Sequence, residues 1–171
     1  DDFSDNSAGW TLDGEWAIGS AQASGCKSYG NEDPAADNTP TGDNGIAGVA
    51  LGGCATKTIH AYDYLTSPAV DLTSASGAVW VGFQRWLNSD YTRYMQNVVE
   101  VYDGNGWVKV WETAGSPGIQ DSAWMPTSYD VTQYKNANFQ VRFGFLIGST
   151  GVFSVGSWNV DDIIIANAIC P

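Results

Sequence analysis

Positive charge and histidine are scarce in this sequence, and both shortages narrow what the protein can do. Its 171 residues hold 7 Lys and Arg against 19 Asp and Glu, which gives a formal net charge of −12, and there is a single His. So few cations cannot build the basic stripe that a nucleic-acid backbone requires, and the negative charge disfavours anionic lipid headgroups. We therefore expect no nucleic-acid partner.

Long apolar runs are also missing from the chain. No stretch approaches the roughly 20 apolar residues of a membrane-spanning helix, so we expect no membrane insertion. The sequence starts at Asp1 without an apolar leader, which we interpret as a mature chain or a piece excised from a larger secreted protein. Its length is typical of one domain, and we predict a single domain over residues 1–171 that is a monomer.

The supply of catalytic side chains is equally short. His60 is the one imidazole, no nucleophile-elbow motif accompanies it, and scattered cysteines with one His do not make a usual zinc site. Paired carboxylates could run a glycosidase, but among 19 acids some pair always lies at a suitable distance. We predict that the chain is not an enzyme and keep a carboxylate-based glycoside hydrolase as the least favoured hypothesis.

Strand signals fill most of the sequence instead. Residues 139–145 alternate with period two and place every aromatic or β-branched side chain on one face, which should be core. Val79, Val81 and Phe83 alternate in the same way, and residues 98–112 form a hairpin around a turn at 103–106. Together these patterns predict an all-β, antiparallel jelly-roll β-sandwich with little or no helix.

Residues 17–58 are the exception, because they are rich in small and polar residues and give weak strand signals. Within them, residues 31–45 read as a long irregular loop, which a compact domain must hold in place by a disulfide or a metal. Cys26 and Cys54 flank this loop and could form the disulfide. The third cysteine, Cys170, is either free or paired with a cysteine beyond this sequence.

Several motifs, taken in order, resemble those of a known superfamily. The segments that carry the resemblance are Asp43-Asn44-Gly45, Leu51-Gly52-Gly53, Ser67-Pro68-Ala69-Val70-Asp71-Leu72, Tyr129-Asp130-Val131, Val141-Arg142-Phe143 and Trp158-Asn159-Val160-Asp161-Asp162-Ile163. This series resembles the MAM-like jelly-roll superfamily, whose bacterial branch includes cleaved-adhesin domains of the gingipain type. The resemblance implies a non-catalytic extracellular module that serves in adhesion or in protein or glycan recognition.

Acidic residues suggest a calcium site, which related jelly rolls hold between their first and last strands and a nearby loop. Adjacent residues of a strand point to opposite faces, so either Asp161 or Asp162 should approach the core among the isoleucines that follow, where a carboxylate needs a partner. Calcium or several backbone amides would supply that partner. The candidate metal ligands are Asp2, Asp33, Asp37, Asp43, Asn44, Asp161 and Asp162, with Asp5 a weaker candidate beside Asp2 on the expected first strand.

An unusual concentration of arginine and tyrosine suggests the ligand-binding surface. Its candidate residues are Arg85, Trp86, Asp90, Tyr91, Arg93 and Tyr94. Aromatic rings can stack on sugars or peptide side chains while arginine and aspartate fix orientation. The alternative is structural, with Trp86 and Tyr91 covering a loop and Arg85 paired with Asp90.

Taken together, these observations predict a calcium-stabilised binding or adhesion module, secreted or on the cell surface. It would be an accessory domain, for example beside a peptidase, and would bind an extracellular protein or glycan. The alternative is a carbohydrate-binding module that stacks sugars on Trp86, Tyr91 and Tyr94.

Overall fold

The computed structural model of the chain describes residues 1–39 and 41–167, and nearly all of its regular structure is β-strand. Over these ranges the strands are β1 Thr11–Leu12, β2 Trp16–Ser20, β3 Gly45–Val49, β4 His60–Thr66, β5 Trp80–Ser89, β6 Met95–Tyr102, β7 Trp107–Glu112, β8 Ile119–Gln120, β9 Met125–Asp130, β10 Val141–Ile147 and β11 Ser157–Ala166. One 3-10 helix, Thr132–Tyr134, completes the regular structure of these ranges, in which no helix is long and apolar enough to cross a membrane. Cys170 lies outside the described residues.

The strands form two antiparallel sheets that pack face to face. Sheet A has the order β1-β4-β10-β6-β7, and sheet B has the order β2-β3-β11-β5-β8, with β9 also paired to β5. The late strands β10 and β11 lie between early ones, so the topology depends on long-range pairing. The predicted all-β jelly-roll sandwich is confirmed.

The core lies between the sheets and follows the predicted alternation. Val81 and Phe83 are buried, as is the series Phe139, Val141, Phe143 and Phe145. Trp158 of β11 is fully buried at the centre, where its ring lies 5.8 Å from Phe143. Burying each such side chain contributes about 1.5–3 kcal/mol, which commits the intervening residues to the outer faces.

The N-terminal third differs from the expectations of the sequence in two ways. Residues 16–20 and 45–49 are paired strands, although their composition gave weak strand signals. Small side chains are required there, since a Cβ at Gly48 would lie 2.5 Å from Oδ1 of Asn159. Asp2 and Asp5 do not lie on a strand, because the first strand begins only at Thr11.

A long connection, residues 21–44, covers part of the outer face of sheet B. The backbone N–H of Asn31 donates to Oδ1 of Asn88 (2.8 Å), and that of Asn38 donates to Oδ2 of Asp161 (2.8 Å). A disulfide between Cys26 and Cys54 anchors its first part. The irregular loop therefore covers part of sheet B, and we call the outer face of sheet A, on the other side of the sandwich, the open face.

Candidate functional site

The open face takes its functional side chains from four neighbouring strands. β4 supplies Tyr62 and Tyr64, β10 supplies Arg142, β6 supplies Glu100, and β7 supplies Trp107. On β6 and β10 these residues alternate with buried core residues, and on β4 Tyr64 precedes the buried Leu65, so the packing of the sandwich turns them outward. All five are partly exposed.

Aromatic rings and one guanidinium form a continuous stack across this face. The Arg142 guanidinium carbon lies 3.7 Å from the ring centre of Tyr64 and 4.0 Å from that of Trp107. The stack continues to Tyr62, whose ring is 5.6 Å from that of Tyr64, and to Tyr102, 5.6 Å from Trp107. We call these five residues the aromatic stack.

Glycine brings part of the stack close to the sheet. A Cβ at Gly144 would lie 2.6 Å from the ring of Tyr64, so only glycine lets this ring rest against β10. Burial raises the pKa of both Tyr62 and Tyr64. Their phenols therefore stay neutral and remain hydrogen-bond donors at physiological pH.

The charges on the open face are paired with one another. Arg142 and Glu100 lie opposite each other on β10 and β6, with Nη2 of Arg142 2.6 Å from Oε2 of Glu100. Lys109 and Glu112 form a second pair at 2.6 Å, and Gln96 also donates to Glu112 (3.2 Å). The face thus combines aromatic surface with fixed polar groups and no net charge from its paired residues, a combination suited to binding an uncharged polar ligand.

The predicted ligand-binding residues are divided among different places. Trp86 lies on the covered outer face of sheet B, where its indole N–H donates to the carbonyl of Glu32 (3.0 Å). Arg85 points to the other side of the sheet and binds Asp121 through two hydrogen bonds of 2.9 and 3.1 Å. The expected alternative pairing of Arg85 with Asp90 is therefore wrong.

The other four residues stay together in the turn between β5 and β6. Asp90 is buried and accepts the backbone N–H groups of Tyr91 (2.8 Å) and Phe153 (3.1 Å). The rings of Tyr91 and Tyr94 are 5.1 Å apart, and Arg93 lies over Tyr94. Three exposed or half-exposed side chains, Tyr91, Arg93 and Tyr94, thus form one cluster that does not include Trp86.

Several predicted metal ligands do come together, where the 21–44 connection meets β11. Asp161 is fully buried and accepts the backbone N–H of Asn38 and that of Asp162 (2.7 Å). Asp162 accepts the Asn38 amide (2.7 Å) and the Thr39 hydroxyl (2.5 Å). Burial raises the pKa of Asp161 to about 6, and nearby Asp162 and Asp37 add to the effect.

The burial of Asp161 differs from the expectation that one of the two acids would approach the core. Val160 points inward, so Asp161 points outward and is buried beneath the connection. A register shift between Asp161 and Ile164 then interrupts the alternation at Asp162, whose φ is 49°.

The remaining candidates on the connection lie beside these two acids. The Thr41 hydroxyl bonds both Asp37 (2.8 Å) and Asp43 (2.7 Å), and Oδ1 of Asn44 accepts the backbone N–H of Asp37 (2.8 Å). Asp2 lines, with Asp162, a cavity of about 400 Å³ beside the N-terminus. Within residues 1–39 and 41–167, no three Asp, Glu, His or Cys side chains are grouped so as to hold a metal by themselves.

Asp33 stands apart from these acids. It is 4% exposed, and its Oδ1 accepts the side-chain amide of Asn159 (3.0 Å), while its Oδ2 is buried without a partner. Burial raises its pKa to about 6. Its carboxylate lies against Gly156, where any Cβ would overlap it.

The aromatic stack was missed by the sequence analysis, although a signal for it exists. The pattern Tyr62-Asp63-Tyr64 and the position of Arg142 between two core residues both indicate outward-facing side chains. The sequence does not reveal that these strands are neighbours, because β10 pairs with both β4 and β6 although it is distant from them in the sequence.

Comparison with known proteins identifies similar folds. No protein-family model and no curated protein sequence matches the chain. Among solved structures, the K1 cleaved adhesin domain of Lys-gingipain from Porphyromonas gingivalis W83 superposes with a TM-score of 0.53 at 16% identity, over 98% of this chain and 96% of that one. The CBM22-1 xylan-binding domain from Paenibacillus barcinonensis Xyn10C gives 0.50 at 14% identity, over 96% and 89%. At these identities the likeness establishes the fold, and the predicted resemblance to cleaved-adhesin domains is confirmed at that level.

Proposed function

We propose that this chain is a non-catalytic binding module of a secreted or surface protein and that its open face binds a glycan. The observation that carries the proposal is the aromatic stack, which runs across four strands of an uncovered sheet. Strands lie about 4.8 Å apart, so the stack spans roughly 14 Å from β4 to β7. An elongated ligand with apolar ring faces and hydroxyl edges matches such a surface, since rings stack on aromatics and hydroxyls bond fixed polar groups.

The state of the carboxylates favours binding over catalysis. Glu100 and Glu112 are each held by a cation at 2.6 Å. A glycosidase needs one carboxyl group kept protonated and a second one free to act as base or nucleophile. Acids engaged in ion pairs do not meet that need, whereas they do orient the groups around a bound ligand.

The two solved structures of similar fold support the same class of function. One is described as a cleaved adhesin domain and the other as a xylan-binding domain. We propose that this chain shares with them a role in recognition, which accords with an accessory domain that acts beside others in a larger extracellular protein.

Truncating the stack should abolish glycan retention. We expect Trp107→Ala and Tyr64→Ala each to weaken retention on the polysaccharide that the wild type binds by about tenfold or more, the equivalent of a lost contact of about 1.4 kcal/mol. The measurement is a pull-down over insoluble xylan, cellulose, galactan and chitin, followed by titration of soluble oligosaccharides. Trp86→Ala is the matched control, because it removes an indole from the covered outer face of sheet B.

Two outcomes would contradict the proposal. Retention of none of these polysaccharides by the wild type would remove the glycan hypothesis. Loss of retention in Trp86→Ala, with Trp107→Ala unaffected and both proteins folded by their melting curves, would favour a site around Trp86 on the outer face of sheet B over the open face.

We also propose that calcium stabilises the module where the connection meets β11. The donors there are carboxylate, amide and carbonyl oxygens, the ligands that calcium prefers. Gly45 supports the fit, because a Cβ at that position would overlap the carbonyl oxygen of Phe3 and push it away. Phe3 has a positive φ (55°), which is unfavourable for a bulky residue and which a bound ion could offset, while Asn44 and Asp162 also have positive φ (57° and 49°), a conformation that Asn and Asp tolerate.

The residues that would hold calcium are Asp162, Asp43 and Asn44 through their side chains and Phe3 through its carbonyl, with Asp161 and Asp37 adding negative charge. When bound, the ion would supply positive charge to a cluster of acids that otherwise repel one another. Asp33, which stands apart from these acids, and Asp2, which lines the cavity beside Asp162, are not included in the proposed ligand set.

A further inference from the structure

The turn between β5 and β6 contains a residue that its backbone does not favour. The N–H of Tyr94 donates to the carbonyl of Tyr91 (3.0 Å), which closes a four-residue β-turn over residues 91–94. Of its two central residues, only Arg93 has a positive φ, at 100°. A turn with this property normally places glycine or asparagine at that position, because a bulky side chain strains it. The sequence places arginine there instead.

The strained backbone presents a guanidinium on an aromatic surface. Arg93 lies 4.9 Å from the ring centre of Tyr94, and its Nη2 donates to the Tyr94 hydroxyl (2.9 Å). The Tyr91 ring meets that of Tyr94 edge to face. Tyr94 is in turn close to Gly151, where a Cβ would lie 3.2 Å from the ring. The three side chains therefore form one supported cluster on the surface.

Arg93 also differs from most other cations of the protein in its partners. Lys27, Arg85, Lys109 and Arg142 each form an ion pair with an acid, whereas Arg93 forms none with any residue in 1–39 or 41–167. The nearest acid in sequence, Asp90, is buried and already accepts two backbone N–H groups. Arg93 thus keeps most of its donors available in a protein of net charge −12.

We infer that Tyr91, Arg93 and Tyr94 form a subsite for a carboxylate-bearing sugar on an otherwise neutral glycan. A guanidinium binds a carboxylate through two parallel hydrogen bonds, and the neighbouring tyrosines offer ring surface and hydroxyl groups to the sugar. The net charge of −12 would repel a polyanion, which favours a chain with isolated acidic branches. This inference rests on the proposed glycan binding, and the turn leads directly into β6 of the open face.

The test compares xylan that carries glucuronic acid branches with the same polymer after its carboxyl groups are reduced to alcohols. We expect the wild type to bind the acidic polymer about tenfold more tightly, and this preference to weaken as salt is raised. Arg93→Gln should bind both polymers equally. Lys57→Gln, which removes the same charge from another exposed position, should keep the preference.

Arg93→Gly separates a role in binding from a role in folding. Because glycine tolerates a positive φ, this variant should lose the preference for the acidic polymer while its melting temperature rises by about 2–4 °C. A structural arginine would give the opposite sign, with a fall in melting temperature and an unchanged preference.

Several outcomes would overturn the inference, and they differ from failure of the proposed function. Equal binding of both polymers by the wild type, or an unchanged preference in Arg93→Gln, would exclude the subsite while leaving glycan binding on the open face intact. Binding of poly-glutamate as tight as that of the acidic xylan would indicate an acidic-peptide site instead. If the wild type retains neither these polymers nor any other polysaccharide, the proposed function fails as well.

Discussion

Replacing Asp33 by asparagine is expected to stabilise the protein at neutral pH by up to about 3 kcal/mol. Burial raises the pKa of this carboxyl from 3.8 to about 6 in the folded state. A raised pKa means that the folded protein binds the proton more tightly than the unfolded chain does. The stability linked to Asp33 is therefore fully present below pH 4, and it is lost as the pH rises from about 4 to about 6, at about 1.4 kcal/mol per pKa unit.

The asparagine preserves what the aspartate does well. Its Oδ1 can still accept the Asn159 amide, while an uncharged NH₂ group replaces the unpartnered Oδ2. In the wild type, the free energy of unfolding should fall between pH 4 and pH 6 because of both Asp33 and Asp161. In the variant this fall should be smaller, because only the contribution of Asp161 remains. Denaturant unfolding at several pH values measures this directly.

Asp71→Asn provides a control of opposite sign. Asp71 is exposed, and hydrogen bonds from Thr73 lower its pKa, so its contribution is lost as the pH falls and its removal should not stabilise at neutral pH. A loss of stability in Asp33→Asn, accompanied by a weaker response to calcium, would contradict our assignment and show that Asp33 is a metal ligand, as the sequence analysis predicts.

The fold was predictable because its core strands are marked locally. The alternation at residues 139–145 and at Val79, Val81 and Phe83 identifies buried faces without any knowledge of the partners. The turn at 103–106 fixes the hairpin of β6 and β7 in the same local way. Strands β2 and β3 were not recognised, because they are rich in small residues with weak strand propensity. At Gly45 and Gly48 of β3 the close approach of the Phe3 carbonyl and of Asn159 requires glycine.

The candidate site was less predictable, because it depends on which strands become neighbours. In the sequence, Arg142 is one polar residue in a strand of core residues. Only the fold shows that β4 and β7 place Tyr64 and Trp107 against its guanidinium. Conversely, Trp86 and Tyr91 are close in sequence but lie in different places. Trp86 contacts the connection over sheet B, whereas Tyr91 packs on Tyr94 in the β5–β6 turn. Local composition can find an unusual segment, but only sheet order shows which surface is open.

Calcium is expected to raise the melting temperature by roughly 5–10 °C in a titration that starts from EGTA. An ion that binds only the folded state at a hundredfold excess over its dissociation constant adds about 2.7 kcal/mol, and a chain of this size responds by about 2–4 °C per kcal/mol. The physical reason lies in Asp161 and Asp162, which are adjacent, buried or half-buried, and close to Asp37. A divalent cation would relieve their mutual repulsion.

Asp162→Asn and Asp43→Asn are the variants to compare. Asp43→Asn removes one charge and keeps the Oδ1 that accepts both existing hydrogen bonds, whereas Asp162→Asn keeps only one of the two oxygens that accept them. The fold should survive in both variants and the calcium response should fall. Asp161→Ala is a poorer choice, because it would strand the backbone N–H groups of Asn38 and Asp162. Asp103→Asn is the control, because it removes the same single charge in the turn between β6 and β7, away from β11. It should respond to calcium as the wild type does. A melting temperature that calcium does not move, with no metal retained by the wild type, would leave the acids as hydrogen-bonded turns. Asn38 and Thr39 would then hold this part of the connection on β11 through their hydrogen bonds to Asp161 and Asp162.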